Sequence, residues 1–252
     1  MKKRLLVLLI AVIVFGLFWF SRGVAVTHFV VPSPAGEVLY AADFEQFTDE
    51  WRLYDGRLSA EIHDGSLHIR VDDANSAAFS ATQAYYANFD LTVTARAVDG
   101  PIDNGFGIIF HLQNKDNATP EDDSYYTFLI SSDGYYQVNR ALNGQQTIVS
   151  NWVPSEAIQQ GLDAENQLRV IFSNNRYRFF INGEQVSLCI PNDPSGASTY
   201  ALGACIQGQM LESYEDASLT QGQIGMIALA TASGGSGVEV TFDNMIVRGP
   251  TE

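Results

Sequence analysis

The feature that most constrains the fold of this chain is a series of five hairpin signals, two neighbouring pairs of which lie nine or ten residues apart. Asp-Gly and Asn-Gly pairs between apolar runs favour tight β-turns, because these residues accept the positive φ angles that two-residue turns require. The pairs occur in the sequences YDGR, HDGS, SDGY, LNGQ and INGE. No segment between residues 37 and 250 keeps a 3.6-residue period, so this part of the chain is predicted to be an antiparallel β protein.

Alternation of apolar and polar residues supports the same fold class. In the sequence NFDLTVTARAV, the apolar residues share one face of a strand: Phe89, Leu91, Val93, Ala95 and Ala97. Such alternation is typical of a strand with one buried face. The 15 Phe, 11 Tyr and 21 Gly suit strands and tight turns. We predict an all-β, two-sheet antiparallel jelly-roll sandwich of about twelve to fourteen strands, preceded by one N-terminal hydrophobic helix.

The first 23 residues form a separate segment. A basic start precedes an unbroken apolar run from Leu5 to Phe20, slightly shorter than a helix needs to cross a ~30 Å hydrocarbon core. The run fits either an uncleaved transmembrane anchor or a secretory signal peptide that is cleaved after Ala25. We favour the anchor, because residues 18–20 resemble an interfacial aromatic belt and Arg22 is unusual beside a cleavage site.

Both interpretations place the folded domain outside the cytoplasm. Three basic residues before the apolar run and one after it predict a cytoplasmic N-terminus. Residues 24–36, which include Pro32 and Pro34, are predicted to be a stiff linker, and residues 37–250 the sandwich domain. The expected location is therefore the cell membrane, with a single span, and secretion is the alternative.

The net charge of the chain excludes one class of partner. The formal charge is −15, and Lys115 is the only lysine beyond the N-terminal segment. An acidic surface repels phosphate backbones and anionic lipid headgroups, so we expect no nucleic-acid partner. Neutral sugars, cations and basic proteins remain compatible with such a surface.

Cys189 and Cys205 are the two cysteines of the chain. A small, even cysteine count in an extracytoplasmic protein predicts one disulfide. A metal site is a poor alternative, because no histidine lies near either cysteine in the sequence. The bridge would contribute roughly 3 kcal/mol in the chain-entropy model. It lies within residues 187–221, a long insert of the kind that often carries function on a rigid scaffold.

The order of seven motifs along residues 38–248 carries a resemblance to a known family. The motifs are ADFEQFTDEW, HDGSLHIRV, DNGFGIIF, SYYTFLISSDGYYQVNR, NQLRVIFSNNRYRFFINGEQV, GQIGMIALA and VTFDNMIV. Together they resemble the concanavalin A-like lectin/glucanase jelly roll in its laminin-G-like form, and most of all its bacterial extracytoplasmic members. These include the domain named for 3-keto-disaccharide hydrolase. Most of the motifs are structural, so the resemblance implies the fold more directly than the function.

Catalytic residues of that superfamily are not recognisable in the sequence. Glycosidases of this fold resemble one another in a strand with Glu-x-Asp-x-x-Glu, and this chain has no such strand. It also lacks the G-x-S-x-G elbow of serine hydrolases. Glycoside cleavage needs two carboxylates on opposite sides of a groove, and the sequence alone selects no such pair. We therefore name no catalytic residue.

His111 is a candidate ligand contact because of its place in the strand GFGIIFHLQ. Strict alternation puts Phe106, Ile108 and Phe110 in the core, which turns His111 to the opposite face of the sheet. The resemblance implies that the concave sheet face is the usual ligand surface. His111 would then donate a hydrogen bond to a sugar hydroxyl; the alternative is a solvent-facing strand histidine.

The central hairpin region supplies the residue types that bind sugars. Aromatic rings stack on pyranose faces, and planar polar groups form hydrogen bonds with the hydroxyl groups. On these grounds the predicted ligand-binding residues besides His111 are Tyr126, Gln137, Arg140, Trp152 and Arg178. Period two implies that about half of the tyrosines in this region pack in the core instead.

The resemblance also implies that the first and last strands are neighbours. Asp43 and Glu45 would then lie close to Asp243, and a structural calcium ion held by these carboxylates would join the two strands. The alternative is that Asp243 caps a turn with Asn244.

These observations predict a noncatalytic extracytoplasmic module that binds a carbohydrate or another extracellular ligand. An enzyme acting on 3-keto-disaccharides or polysaccharides is one alternative. A protein-interaction, adhesion or sensor module that uses the 187–221 insert is the other.

Overall fold

The computed structural model of this chain describes residues 28–46, 48–114, 123–231 and 237–251. The predicted anchor or signal peptide lies outside these residues. In the part that is described, no helix is long and apolar enough to cross a membrane.

The described residues form 21 β-strands, more than the twelve to fourteen predicted; thirteen have five or more residues, and the other eight are short. In chain order they are β1 (Val30–Val31), β2 (Val38–Ala42), β3 (Leu58–His63), β4 (Ser66–Val71), β5 (Ser76–Ala81), β6 (Tyr85–Tyr86), β7 (Phe89–Asp99), β8 (Gly105–Gln113), β9 (Ser124–Ser131), β10 (Tyr135–Leu142), β11 (Gln145–Pro154), β12 (Asn166–Ser173), β13 (Arg176–Ile181), β14 (Glu184–Val186), β15 (Leu188–Pro191), β16 (Thr199–Ala201), β17 (Ala204–Ile206), β18 (Gly208–Leu211), β19 (Tyr214–Glu215), β20 (Gln223–Ala230) and β21 (Val238–Arg248).

Two large sheets form the sandwich. One has six strands in the order β11-β10-β9-β8-β20-β5. The other has nine, in the order β14-β13-β12-β7-β21-β4-β3, with β2 added beside β21 and β19 beside β13. Short pairs β1-β6, β15-β18 and β16-β17 lie outside them. The predicted all-β sandwich is confirmed, and so is the predicted pairing of the first domain strand, β2, with the last, β21.

The core lies between the two sheets and follows the alternation read from the sequence. In β7, Phe89, Leu91 and Val93 are fully buried, while the residues between them are partly exposed. In β21, Val238 and Val240 are buried in the same way. Burial of such side chains stabilises each by about 1.5–3 kcal/mol, so the alternation fixes which face of each strand turns inward.

Three of the five hairpin signals coincide with tight turns in which both residues have positive φ, as a two-residue type I′ turn requires. Three pairs show this: Asp64 (φ 50°) with Gly65 (71°), Asn143 (47°) with Gly144 (77°), and Asn182 (51°) with Gly183 (84°).

The 187–221 insert packs along the edge of the sandwich. Cys189 and Cys205 are joined by a disulfide, as predicted. The backbone N–H of Cys189 donates to Ser150 Oγ of edge strand β11 at 3.0 Å, and β15 and β16 lie against the same strand. At its other end, β19 pairs with β13 of the second sheet. The insert thereby contacts both sheets and covers an edge that would otherwise expose unpaired backbone groups.

Candidate functional site

His111 faces the interior of the sandwich, which corrects the prediction that it lies on the exposed face. Strand β8 carries a β-bulge between Phe110 and Gln113, and His111 adopts φ 49° within it. The extra residue shifts the alternation by one position. Phe110 and His111 therefore both turn inward, and His111 is fully buried.

The His111 ring is held by two hydrogen bonds and has no access to a surface ligand. Its Nε2 lies 3.1 Å from the carbonyl oxygen of Ala87, which can only accept, so Nε2 donates. Its Nδ1 lies 3.0 Å from the Tyr177 hydroxyl. Aromatic rings surround it, with Phe172 at 4.6 Å and Phe89 at 5.3 Å between ring centroids. Burial lowers the pKa of His111 to about 4, because charging the ring here would forfeit hydration.

Tyr126 also lies inside the sandwich, which contradicts its predicted place on a ligand-binding surface. It is 1% exposed and stacks on Phe110 with ring centroids 5.5 Å apart. Its position follows from register, because Phe110 and Tyr126 are directly paired across β8 and β9 and share the inward face.

Arg140 is the cross-strand partner of Tyr126 and forms a partly buried ion pair. Its Nη1 donates to Asp216 Oδ2 at 2.5 Å. Burial opposes the charge of Asp216, but hydrogen bonds from Ser218, Tyr214 and Arg140 outweigh it and lower the pKa of Asp216 to about 2. Arg140 thus joins β10 to the end of the insert; its role as a ligand contact stays a prediction.

Gln137 and Trp152 do lie on the outer face of the six-stranded sheet. Gln137 Nε2 donates to Asn151 Oδ1 at 3.2 Å, and Asn139 Nδ2 donates to Gln137 Oε1 at 2.8 Å. The same Asn151 oxygen accepts the backbone N–H of Trp152 at 2.9 Å. This row of amides fixes the backbone from which the Trp152 indole projects.

Trp152 borders a surface depression that we call the Trp152 groove. The groove has a volume of about 260 Å³ and is lined by Asp103, Ser131, Asp133, Tyr135 and Trp152. Strands β8, β9, β10 and β11 or their turns contribute these residues. The lining therefore combines two aromatic rings, two carboxylates and two hydroxyl groups, those of Ser131 and Tyr135.

Two local features set the geometry of the Trp152 groove. Gly105 lies under the indole, since a Cβ atom there would be 3.3 Å from Trp152 Cη2. The Ser131 hydroxyl donates to the Asp133 carboxylate, and the Asp133 backbone N–H donates to the carbonyl of Ile102 at 3.0 Å. One carboxylate and the indole are thus held in place by the protein, while Tyr135 is 39% exposed.

Sequence reasoning identified Trp152 but missed the two carboxylates. Asp133 belongs to the hairpin signal SDGY, and Asp103 begins the stretch DNGFGIIF. The sequence indicates no more than a turn at either position. Their common location arises because antiparallel β8 begins and β9 ends beside the groove, which a turn motif alone does not show.

Arg178 lies on the other side of the molecule, on the outer face of the nine-stranded sheet. It lines a larger depression, the Arg178 groove, of about 550 Å³, together with Ile171, Ser173, Asn174, Arg176, Gln185, Glu212 and Ser213. Arg176 is paired there with Glu215, with an Nη2–Oε1 distance of 2.6 Å. The structure therefore separates Arg178 from Gln137 and Trp152.

The predicted calcium ligands are engaged locally. Asp43 Oδ1 accepts the backbone N–H of Glu45 at 3.3 Å, and Asp243 accepts the backbone N–H and the Nδ2 of Asn244 at 2.6 and 2.8 Å. Among the residues that the structure covers, no three carboxylate, histidine or cysteine side chains are arranged to hold a metal ion. Calcium binding stays a prediction.

Comparison with known families identifies the sandwich. The family described as "3-keto-alpha-glucoside-1,2-lyase-like domain" matches residues 42–248. The chain belongs to this family. The match covers every residue of the Trp152 groove and of the Arg178 groove, so both lie within the 3-keto-alpha-glucoside-1,2-lyase-like domain. No curated protein matches the chain.

Solved structures agree with this family in fold. A carbohydrate-binding module, CBM66, from Bacillus subtilis is similar with a TM-score of 0.54 and 11% identity over 79% of this chain and 95% of that one. A galectin-like protein of unknown function from Bacillus subtilis has a TM-score of 0.54 and 14% identity, covering 86% and 98%. An endo-acting O-glycanase from the human gut microbiota has a TM-score of 0.53 and 12% identity, covering 85% and 100%. Identities this low establish the fold alone.

Proposed function

We propose that this protein binds a carbohydrate in the Trp152 groove, outside the cytoplasm, as a domain tethered to the membrane by residues 1–23. The observation that carries the proposal is the lining of the groove, in which a supported indole and an exposed tyrosine lie beside two carboxylates. The groove is open to solvent and, at about 260 Å³, is slightly smaller than most small-molecule sites, which suits one or two sugar rings rather than a long buried chain.

Each part of the lining has a role in sugar binding. The Trp152 and Tyr135 rings offer apolar faces on which the C–H face of a pyranose packs. Asp103 and Asp133 accept hydrogen bonds from sugar hydroxyl groups, and charged acceptors form the stronger bonds. Because Asp133 is held by Ser131, it is positioned before the ligand arrives, which reduces the entropy lost on binding.

Family and fold support a carbohydrate ligand independently of the groove. The family takes its name from a glucoside-cleaving activity, and one structural neighbour is named as a carbohydrate-binding module. The strongly acidic surface, with a net charge of −15, favours a neutral or cationic sugar over a phosphorylated or sulfated one.

The test is binding of the full-length protein, in detergent, to a panel of soluble oligosaccharides by isothermal titration calorimetry. We expect saturable binding to one sugar class and a loss of at least about tenfold in affinity for Trp152→Ala, as for a central aromatic contact. Arg178→Ala removes a large side chain from the other groove and is the matched control. Unchanged affinity for Trp152→Ala, or loss of binding only for Arg178→Ala, would overturn the assignment of the site.

Cleavage of a 3-keto-glucoside is the second candidate function. The family name favours it, and so does the presence of two carboxylates in one groove. Acid–base cleavage needs at least one group that abstracts a proton and one that donates a proton, and two carboxyl groups can fill these roles. Incubation of the protein with a 3-keto-disaccharide, followed by chromatography of the sugars, tests this candidate. Turnover that is lost in both Asp103→Asn and Asp133→Asn would establish an enzyme; intact substrate with retained binding would leave the binding module.

A further inference from the structure

A third pocket lies at the seam between the two sheets and shares no lining residue with the Trp152 groove or the Arg178 groove. We call it the Tyr86 pocket. It has a volume of about 280 Å³ and is lined by Tyr40, Asp49, Glu50, Thr82, Gln83, Ala84 and Tyr86. Tyr40 comes from β2 of the nine-stranded sheet, and the turn after β5 of the six-stranded sheet supplies the segment 82–84.

Backbone hydrogen bonds hold the two walls of the Tyr86 pocket together. Gln83 N–H donates to the carbonyl of Glu50 at 3.2 Å, and Arg52 N–H donates to the carbonyl of Ala81 at 3.2 Å. The Gln83 side chain adds a bond from Nε2 to the carbonyl of Asp49 at 2.7 Å. The backbone bonds flank an antiparallel bridge between Trp51 and Thr82, so the segment that carries Asp49 and Glu50 has a defined position relative to the segment 82–84.

The Tyr86 hydroxyl is the unusual group of this pocket. Tyr86 is 2% exposed and lines the pocket, yet no hydrogen-bond partner faces its hydroxyl among the residues that the structure describes. Burial, with a smaller contribution from the Glu50 carboxylate, raises the pKa of Tyr86 to about 12. Because Tyr86 lines the pocket and no protein group in the described ranges engages its hydroxyl, that hydroxyl can donate its hydrogen bond to a ligand in the pocket.

A relay of hydrogen bonds positions the Glu50 carboxylate on the opposite wall. Trp51 is 3% exposed, and its Nε1 donates to the Tyr40 hydroxyl at 2.9 Å. The Tyr40 hydroxyl in turn donates to Glu50 Oε2 at 3.1 Å. Carboxylates that bind ligands are commonly oriented by a neighbouring group that is itself anchored in the core. An ordinary surface glutamate has no such support.

The charge of the lining selects the ligand. Asp49 and Glu50 are the two charged residues of the lining, and neither Lys, Arg nor His contributes to it. The site has too few acidic side chains for a protein cage around a metal ion, in keeping with the absence of any such cluster from the covered ranges. Tyrosine rings beside carboxylates suit an organic ammonium group, which is attracted to both.

We propose that the Tyr86 pocket binds a small organic cation that carries a primary ammonium group and a hydrogen-bond acceptor. The ammonium group binds the carboxylate of Glu50, with Asp49 beside it, and the acceptor receives the hydrogen bond of the Tyr86 hydroxyl. This site is distinct from the Trp152 groove, because no residue is common to the two linings.

Glucosamine is a suitable probe, with glucose and N-acetylglucosamine as neutral sugars of similar shape. Binding of each to the full-length protein is measured by isothermal titration calorimetry at pH 6.5. We expect glucosamine to bind at least about tenfold more tightly than the neutral sugars, as expected for a charge-assisted contact. Glu50→Gln should abolish that preference. Tyr86→Phe should weaken glucosamine binding about fivefold while leaving the thermal unfolding midpoint unchanged.

Two further variants locate the site. Glu61→Gln removes an exposed carboxylate from β3 and should leave glucosamine affinity unchanged. Trp152→Ala should retain the preference for glucosamine over the two neutral sugars, whatever its effect on sugars bound in the Trp152 groove, and this result separates the Tyr86 pocket from that groove. The proposal is overturned by equal affinity for the three sugars, by a preference that survives in Glu50→Gln, by one that is lost in Trp152→Ala, or by absence of saturable glucosamine binding up to about 10 mM.

Discussion

His111 predicts how the stability of the sandwich depends on pH. Its pKa is about 4 in the folded protein and about 6.5 in an unfolded chain. Between these values the unfolded state binds a proton that the folded state does not, so the free energy of unfolding falls as the pH falls. The full effect of 2.5 pKa units is about 3 kcal/mol, of which about 2 kcal/mol is lost between pH 7 and pH 5.

The measurement is urea unfolding of the full-length protein at pH 7, 6 and 5, followed by tryptophan fluorescence. His111→Gln keeps a side-chain donor for the Ala87 carbonyl but does not titrate. It should be less stable than the parent protein at pH 7, because it packs less well among Phe89 and Phe172, and should lack this 2 kcal/mol loss. His63→Gln, at an exposed position, is the matched control and should retain it. Equal pH dependence in His111→Gln and the parent protein would refute the reasoning.

Three other predictions follow from separate features. Replacing Cys189 and Cys205 together by Ser should lower the free energy of unfolding by roughly 3 kcal/mol, measured by urea unfolding against the parent protein in reducing and non-reducing buffer; equal stability in non-reducing buffer would contradict it. Gly222→Ala should destabilise the fold strongly, because the new Cβ would lie 2.3 Å from the carbonyl carbon of His111, and a thermal midpoint equal to that of the parent would contradict it. If residues 1–23 are an anchor, mass spectrometry of the membrane fraction should find them intact, whereas a chain starting near residue 26 would establish the signal peptide.

The sequence predicted the elements whose cause is local. Hairpin turns at Asn143–Gly144 and Asn182–Gly183 depend on φ preferences of two residues, and the buried face of β7 depends on period two. The turns and the buried face were both confirmed. The disulfide was also predictable, because cysteine count and compartment restrict the possibilities for a single pair.

The sequence did not predict the features that depend on irregular or distant contacts. The inward turn of His111 needs a bulge, and the bulge requires the close approach of Gly222, 111 positions further along the chain. A strictly alternating pattern cannot predict the extra residue of a bulge, which reverses the facing of the residues after it. The Trp152 groove is similar, because Asp103 and Asp133 come together with Trp152 only through the pairing of β8, β9, β10 and β11.

The outer face of the six-stranded sheet explains why a single tryptophan can serve as a rigid platform. This face carries a small apolar cluster in which Ile109, Leu129 and Ile227 are 0–5% exposed, although they point away from the main core. Trp152 packs against that cluster and over Gly105. Its indole is therefore fixed by packing before any ligand binds, so stacking of a sugar on it costs little additional side-chain entropy of the protein.

The same packing means that Trp152→Ala uncovers the cluster, whereas Trp152→Phe keeps an aromatic cover. If the platform is what binds the sugar, Trp152→Phe should retain part of the affinity that Trp152→Ala loses.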